Sequence, residues 1–220
     1  PGIDPSLSWE EDGTCWCAYS HDGIRAVRID PKSGELLGEP VRLWSGTGLQ
    51  YPEGPHLYRI GEWWYLLLSE GGTERGHALS IARARALPGP FEPHPANPVL
   101  SHRSTDHPIQ NTGHADLVQA HDGSWWMVLL GTRPRGDTPL YHGMGRETFL
   151  VPVDWRDGWP LPGPLELRSP APEVTPHPWP QEPERDDFDS PPLAPPWVQP
   201  RHQGPEALRL DERAGHLVLQ

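Results

Sequence analysis

The chain has 220 residues and contains 30 prolines and 23 glycines, a composition that favours turns and argues against long helices. Its formal net charge of −12 argues against nucleic acid as a partner, because phosphate binding needs clustered lysine and arginine. No apolar run is long enough to span a bilayer, so no membrane association is expected. No secretory signal is visible, which favours the cytoplasm over secretion, but a chain that begins at Pro1 leaves the compartment open.

Three stretches of the chain begin alike. In each, a carboxylate or a histidine precedes an apolar strand, which is followed by a turn and an aromatic-rich strand. The stretches align on Leu7, Leu57 and Leu117, which lie 50 and 60 residues apart. Hairpin-spaced strands within repeats of this length are typical of a β-propeller, whose blades surround a central channel. The pattern therefore predicts an all-β protein with about three blades.

Turn dipeptides separate the predicted strands in chain order. Asp-Gly and Ser-Gly pairs favour the tight turns of β-hairpins. Beyond the paired strands that open each repeat, further strands are expected at 24–29 and 35–44 in the first, 77–85 and 88–95 in the second, and 145–155 in the third. The turns are predicted at Asp12-Gly13, Asp22-Gly23, Ser33-Gly34 and Asp122-Gly123.

The repeats occupy residues 1–160, which we expect to form a partial propeller. Residues 161–185 are rich in proline and poor in periodicity, and this is typical of a linker. Residues 186–220 end in two short apolar runs around Arg213-Ala214-Gly215, the pattern of a hairpin that opens another β-domain. Three blades cannot close a ring without exposing sheet edges, so the chain is expected to be incomplete.

Polar residues lead the first strand of each repeat. Asp4, Glu53 and His114 are expected to converge on the channel. Asp4 precedes a proline directly, which favours extended backbone geometry. Two carboxylates that face one cavity suggest glycoside hydrolysis, in which a carboxylic acid protonates the leaving oxygen. The pKa of that acid must be raised by burial or by a nearby negative charge, which Asp4 would provide.

Structural explanations compete with these functional ones. A single Asp-Pro or Glu-Gly-Pro is usually a turn cap or a loop charge. His114 could contact a sugar, bind a metal or pack in the core, and spacing alone slightly favours packing. Arg146 could form a surface ion pair with Glu147 or point inward towards a sugar. Asp116 is expected to be a structural hydrogen-bond acceptor.

Two other chemistries have weaker support. The glycine-rich segment 69–77 is not followed by the Lys-Ser/Thr of a phosphate-binding loop, so a loop over the channel mouth is expected instead. A metal-dependent hydrolase would need paired ligands, and none of the twelve histidines forms a motif such as HExxH.

Several motifs together resemble glycoside hydrolase family 43 over residues 1–160. They are IDPSL, EGPHLY, EGGT…GHALSIARA, TGHADLVQ, DGSWWMVLLGTRP and GRETFLVPVDW. The resemblance implies a five-bladed propeller followed, from about residue 186, by a C-terminal β-sandwich. It also implies a β-xylosidase or α-L-arabinofuranosidase that inverts configuration and acts on xylo-oligosaccharides or arabinose-substituted xylan, with xylosidase slightly preferred.

The same resemblance implies roles for individual residues. Glu53 matches the general acid, and Asp4 matches the aspartate that modulates the pKa of the acid and orients it. His114 and Arg146 match sugar-contacting residues, and His114 can help hold a channel metal, often Ca²⁺, although no cofactor is required. The family's general base, an aspartate in a first-blade motif of the PDP type, has no counterpart before Asp4. The chain alone is therefore expected to be inactive.

A second class of function remains open from the sequence. A non-catalytic carbohydrate-binding or interaction propeller would also lack the general base, and the 11 tryptophans could serve as stacking surfaces for sugars. The oligomeric state is not indicated by any pattern in the sequence.

Overall fold

The computed structural model describes residues 2–138, 140–169, 171–181, 183–189, 191–198, 201, 204 and 207–219. Over these residues the regular elements are β-strands, and no helix is long and apolar enough to cross a membrane. The chain divides into two compact units, Pro1–Glu173 and Val174–Gln220.

The first unit contains three four-stranded antiparallel sheets, each formed by strands that pair in chain order. The first sheet holds β1 (Ile3–Trp9), β2 (Cys15–Ser20), β3 (Ile24–Arg28) and β4 (Val41–Trp44). The second holds β5 (Glu53–Ile60), β6 (Trp63–Glu70), β7 (Ala78–Ala84) and β8 (Glu92–Pro93). The third holds β9 (Gln110–Gln119), β10 (Trp125–Thr132), β11 (Glu147–Arg156) and β12 (Trp159–Pro162).

The predicted hairpins are present, but the outer strands differ from the prediction. Asp12-Gly13, Asp22-Gly23 and Asp122-Gly123 each lie in the turn between paired strands. Two outer strands are shorter than expected: β4 begins only after Pro40, and β8 has two residues in a proline-rich segment. Proline lacks the N–H that a sheet ladder needs, which accounts for both differences.

Strand β6 shows how the sheets pack. Its alternate residues point to opposite faces, so Tyr65 and Leu67 join the core shared with the third sheet. Leu66 and Leu68 join the core shared with the first sheet. This accounts for the continuous apolar run in β6, because a strand buried on both faces needs no polar alternation.

The inner strands of the three sheets lie side by side. Strand β1 contacts β5, and β5 contacts β9. The hydroxyl of Ser6 donates to the carbonyl oxygen of Pro55 at 2.6 Å, which ties the first inner strand to the second. Three sheets with neighbouring innermost strands have the arrangement of propeller blades. The prediction of an all-β chain with about three blades is confirmed.

The boundary of the first unit lies later than the predicted residue 160. Leu165 is buried in the core of the third blade, and the compact unit extends to Glu173. Residues 161–173 therefore belong to the propeller unit rather than to a linker, because apolar side chains among the prolines still pack on the core.

The second unit contains one small sheet. Strands β13 (Leu208–Arg209) and β14 (Val218–Leu219) pair antiparallel around the predicted Arg213-Ala214-Gly215 turn. The expected hairpin is thus present, and its place at the start of a β-sandwich stays a prediction.

Candidate active site

The beginnings of the inner strands share an unusual backbone conformation. Asp4, Gly54 and His114 have φ values of 54°, 56° and 52°, and each lies three residues before the aligned leucine of its repeat. The strand pairing is irregular at all three places. Left-handed non-glycine residues are uncommon and concentrate at functional sites.

This irregularity corrects two expectations from the sequence. Asp4 is not extended despite the proline after it, because the bulge in β1 imposes the left-handed conformation. The counterpart of Asp4 and His114 in the second blade is Gly54, and Glu53 lies one position earlier. A bulge re-aims side chains, which lets residues at two register positions reach one site.

Asp4, Glu53 and His114 do converge. The Nε2 atom of His114 lies 3.6 Å from Oδ2 of Asp4, and its Nδ1 atom lies 3.7 Å from Oε1 of Glu53. Asp4 Oδ2 also accepts a hydrogen bond of 2.9 Å from the backbone N–H of Gly54. The structure thus brings the three residues together, and their chemical roles stay predictions.

The sequence analysis missed a fourth member of the site, His77, which stands directly before β7. Its side chain is fully buried, with Nε2 3.3 Å from Glu53 Oε1. Strand pairing offered a signal: Glu53 pairs with Ser69 in β6, and the adjacent Glu70 pairs with Ala78. Counting this register places His77 at the same sheet edge as Glu53.

Two glycines leave room for the two histidines. A Cβ on Gly54 would lie 3.0 Å from the ring of His114, and a Cβ on Gly113 would lie 2.5 Å from the ring of His77. The second distance is shorter than any normal contact, so the position of His77 depends on Gly113 lacking a side chain.

The charges around Glu53 differ from the prediction. Its pKa is lowered chiefly by a hydrogen bond from His77 and also by the proximity of His114 and Arg146, which together outweigh burial. The expected rise caused by Asp4 is not found, because the Asp4 carboxylate contacts Gly54 and His114 instead. Burial lowers the pKa of His114 despite its two acidic neighbours.

Arg146 faces a cavity rather than its sequence neighbour. Glu147 forms a 2.6 Å ion pair with Arg133, which excludes the surface pair considered from the sequence. Arg146 Nη1 lies 3.4 Å from the hydroxyl of Thr73 and lines a cavity of about 1030 Å³. Glu53 does not line this cavity. It lines a neighbouring one of about 560 Å³, and Thr73 borders both. Volumes of this order accommodate a small sugar.

The site offers a possible set of metal ligands. Among the described residues, Glu53, His77 and His114 each present one donor atom, all within 4.8 Å of one another. The two histidines are thus a pair that linear spacing could not reveal. Two imidazoles and one carboxylate suit a transition metal, whereas Ca²⁺ prefers six to eight oxygen ligands. The cluster as a whole does not fit Ca²⁺, and a calcium ion held by His114 stays a prediction.

Asp116 lies outside this cluster and has a structural contact. Its carboxylate accepts a hydrogen bond from the hydroxyl of Tyr58, which links β9 to β5. The expectation that Asp116 is a structural acceptor is confirmed.

Comparison with known proteins identifies relatives of this architecture. Residues 1–160 match the sequence model of the glycosyl hydrolases family 43. The chain is 40% identical to the non-reducing end alpha-L-arabinofuranosidase BoGH43B of Bacteroides ovatus, over 99% of this chain and 42% of that protein. It is 35% identical to a xylan 1,3-beta-xylosidase of a Vibrio species, over 100% of this chain and 45% of that protein.

A solved structure shows the same fold. The crystal structure of xylan beta-1,4-xylosidase from Bacillus halodurans C-125 superposes with a TM-score of 0.85 and 36% identity. The match covers 99% of this chain and 45% of that protein, so the chain spans less than half the length of these relatives. The predicted fold class is confirmed by this similarity.

Proposed function

Because this chain belongs to the glycosyl hydrolases family 43, we propose that it is part of an enzyme that hydrolyses O-glycosidic bonds. The substrates we propose are xylo-oligosaccharides or arabinose-substituted xylan, the substrate class suggested by the names of its relatives. One observation carries the proposal: Asp4, Glu53 and His114 meet where three inner strands begin.

Glu53 is the proposed general acid. Its Oε1 atom contacts His77 and His114, which leaves Oε2 for the glycosidic oxygen of the substrate. Asp4 orients the acid through the backbone of Gly54, the residue after Glu53. Arg146 and His114 would contact sugar hydroxyls from the cavity walls. Protonation of the leaving oxygen makes the departing group a neutral alcohol.

The general base is proposed to lie outside these 220 residues. In an inverting enzyme the base activates water on the opposite face of the sugar, roughly 6.5–9.5 Å from the acid. Asp4 does not suit this role, because its carboxylate is bound to Gly54 N–H beside the acid. The lowered pKa of Glu53 fits the same view, since a base carboxylate and a bound sugar would both raise it.

The proposal is tested by comparing this chain with the polypeptide encoded by the full reading frame. Only the latter should hydrolyse xylobiose or an aryl arabinofuranoside. In it, Glu53→Gln should lower kcat by roughly 10²- to 10⁴-fold, the usual contribution of a general acid. Glu62→Gln is the matched control, because Glu62 is exposed in the hairpin that follows the same strand and pairs with Arg85 at 2.7 Å. Undiminished turnover in Glu53→Gln would contradict the proposal.

A non-catalytic carbohydrate-binding propeller is the second candidate. One observation favours it: the lowered pKa keeps Glu53 ionised, and a carboxylate is a good acceptor for sugar hydroxyls. In that case the full polypeptide would bind xylobiose in calorimetry without releasing xylose, and Glu53→Gln would weaken binding.

A further inference from the structure

His77 is the most completely buried charged or titratable side chain near Glu53. None of its side-chain surface is exposed, against 27% for His114, and its Nε2 atom has no aligned hydrogen-bond partner. Buried polar atoms without partners are costly, so this arrangement needs an explanation beyond packing.

The other nitrogen of His77 is anchored. Its Nδ1 atom lies 3.4 Å from the backbone carbonyl oxygen of Asn111. A carbonyl oxygen can only accept, so this contact requires a proton on Nδ1. Asn111 is itself held, since its side-chain amide donates to the Thr132 hydroxyl at 2.9 Å. The imidazole ring therefore has a fixed direction, set by a held backbone group.

With Nδ1 anchored, Nε2 points at Glu53. The distance to Oε1 is 3.3 Å, shorter than the 3.7 Å from the same oxygen to His114. Two lone pairs would repel at this distance, so a proton lies between Oε1 and Nε2 and forms a hydrogen bond. That bond fixes one oxygen of Glu53 and directs the other to the cavity.

We propose that His77 is the positioning residue for Glu53. It does not touch the substrate, and it acts by holding Oε1 so that Oε2 meets the glycosidic oxygen. The inference rests on the proposed function of Glu53, and it assigns a role to a residue that the repeat pattern did not reveal. The gap left by Gly113 is what allows the ring to occupy this place.

The first test does not depend on activity. Nitrogen NMR of the 220-residue chain should show His77 protonated at Nδ1, with an Nε2 shift that changes in Glu53→Gln and stays unchanged in Glu62→Gln. An unprotonated Nδ1, or a His77 signal unaffected by Glu53→Gln, would overturn the proposal. So would tight Zn²⁺ binding that is lost in His77→Phe, because Nε2 would then be a metal ligand.

The second test uses the polypeptide of the full reading frame. His77→Phe should lower kcat for xylobiose by about 10- to 100-fold with little change in KM, because a misplaced acid slows the chemistry and not the binding. The loss should be much smaller for an aryl xyloside with an activated leaving group, which needs little protonation. His77→Gln, which keeps a hydrogen-bonding group, should retain more activity than His77→Phe.

The outcomes separate the two proposals. His56→Phe is the matched control, since His56 lies on the same strand as Glu53 and its imidazole is 3.7 Å from Asp116, outside the site. Equal losses for both leaving groups would indicate a merely structural His77 and overturn the positioning role. An inactive wild-type polypeptide would sink the proposed hydrolysis, and the NMR result would still decide whether His77 holds Glu53.

Discussion

The beginnings and the ends of the inner strands differ in one instructive way. At their ends, β5 and β9 pair in regular register, Ile60 with Trp63 and Gln119 with Trp125, and lead into tight turns. At their beginnings the register shifts, and His114 takes a left-handed conformation. The regular ends serve packing alone, whereas the irregular beginnings hold titratable side chains together at a cost in stability.

Packing next to the site offsets that cost. A residue in a strained backbone region costs about 1–3 kcal/mol. Leu57 and Leu117 lie three residues beyond the strained positions and are buried, and burial of such a side chain contributes about 1.5–3 kcal/mol. Each strained position therefore has a core residue of comparable weight on the same strand.

The largest effect that would sharpen this comparison is expected from Gly113→Ala. The added Cβ would lie 2.5 Å from the buried ring of His77, and overpacking of this kind costs about 1–3 kcal/mol. Chemical denaturation of the chain should show the loss, and the NMR signals of His77 should shift. Gly143→Ala is the control, because no atom lies within 4 Å of its added Cβ. Equal stability of the two variants would contradict the packing described here.

A smaller effect is expected from a pair of variants at opposite ends of β5. Gly54 and Gly61 have nearly equal φ values, 56° and 58°, so alanine at either position costs about 1–2 kcal/mol in backbone strain. Only Gly54 also faces a ring, since His114 lies 3.0 Å from its added Cβ. Gly54→Ala should therefore unfold at lower denaturant than Gly61→Ala. The same midpoint for both would show that His114 does not rest against Gly54.

The smallest effect concerns pH. The folded chain lowers the pKa of Glu53 below its ordinary 4.5, so the carboxylate is favoured by folding. This contribution is complete above the unfolded pKa and disappears as pH falls through the lower, folded pKa. The difference in unfolding free energy between the wild-type chain and Glu53→Gln should thus shrink as pH falls from about 7 to about 3. A difference that grows on acidification would reverse the sign of the shift.

The sequence revealed much of the scaffold because local rules determine it. Asp-Gly turns located the hairpins, and the repeat aligned on Leu57 found Glu53. The conformation of Asp4 escaped prediction because a bulge depends on the partner strand. His77 escaped because it approaches Glu53 through two strand pairings, and a single sequence shows no pairing register.

The direction of the Glu53 pKa shift escaped for a related reason. A carboxylate near another carboxylate should be harder to ionise, and Asp4 was expected to have this effect. Which groups contact Glu53 depends on bulges and on His77, and neither is visible in the repeat. The predicted end of the propeller failed because Leu165 packs on the core from a proline-rich segment.

The most direct measurement is a crystal structure of the full-reading-frame polypeptide carrying Glu53→Gln, with xylobiose bound. The glycosidic oxygen should lie within hydrogen-bond distance of the side chain at position 53, and His77 should contact the other polar atom of that side chain. A disaccharide bound elsewhere, with position 53 open to solvent, would contradict the assignment of this edge of the inner strands as the active site.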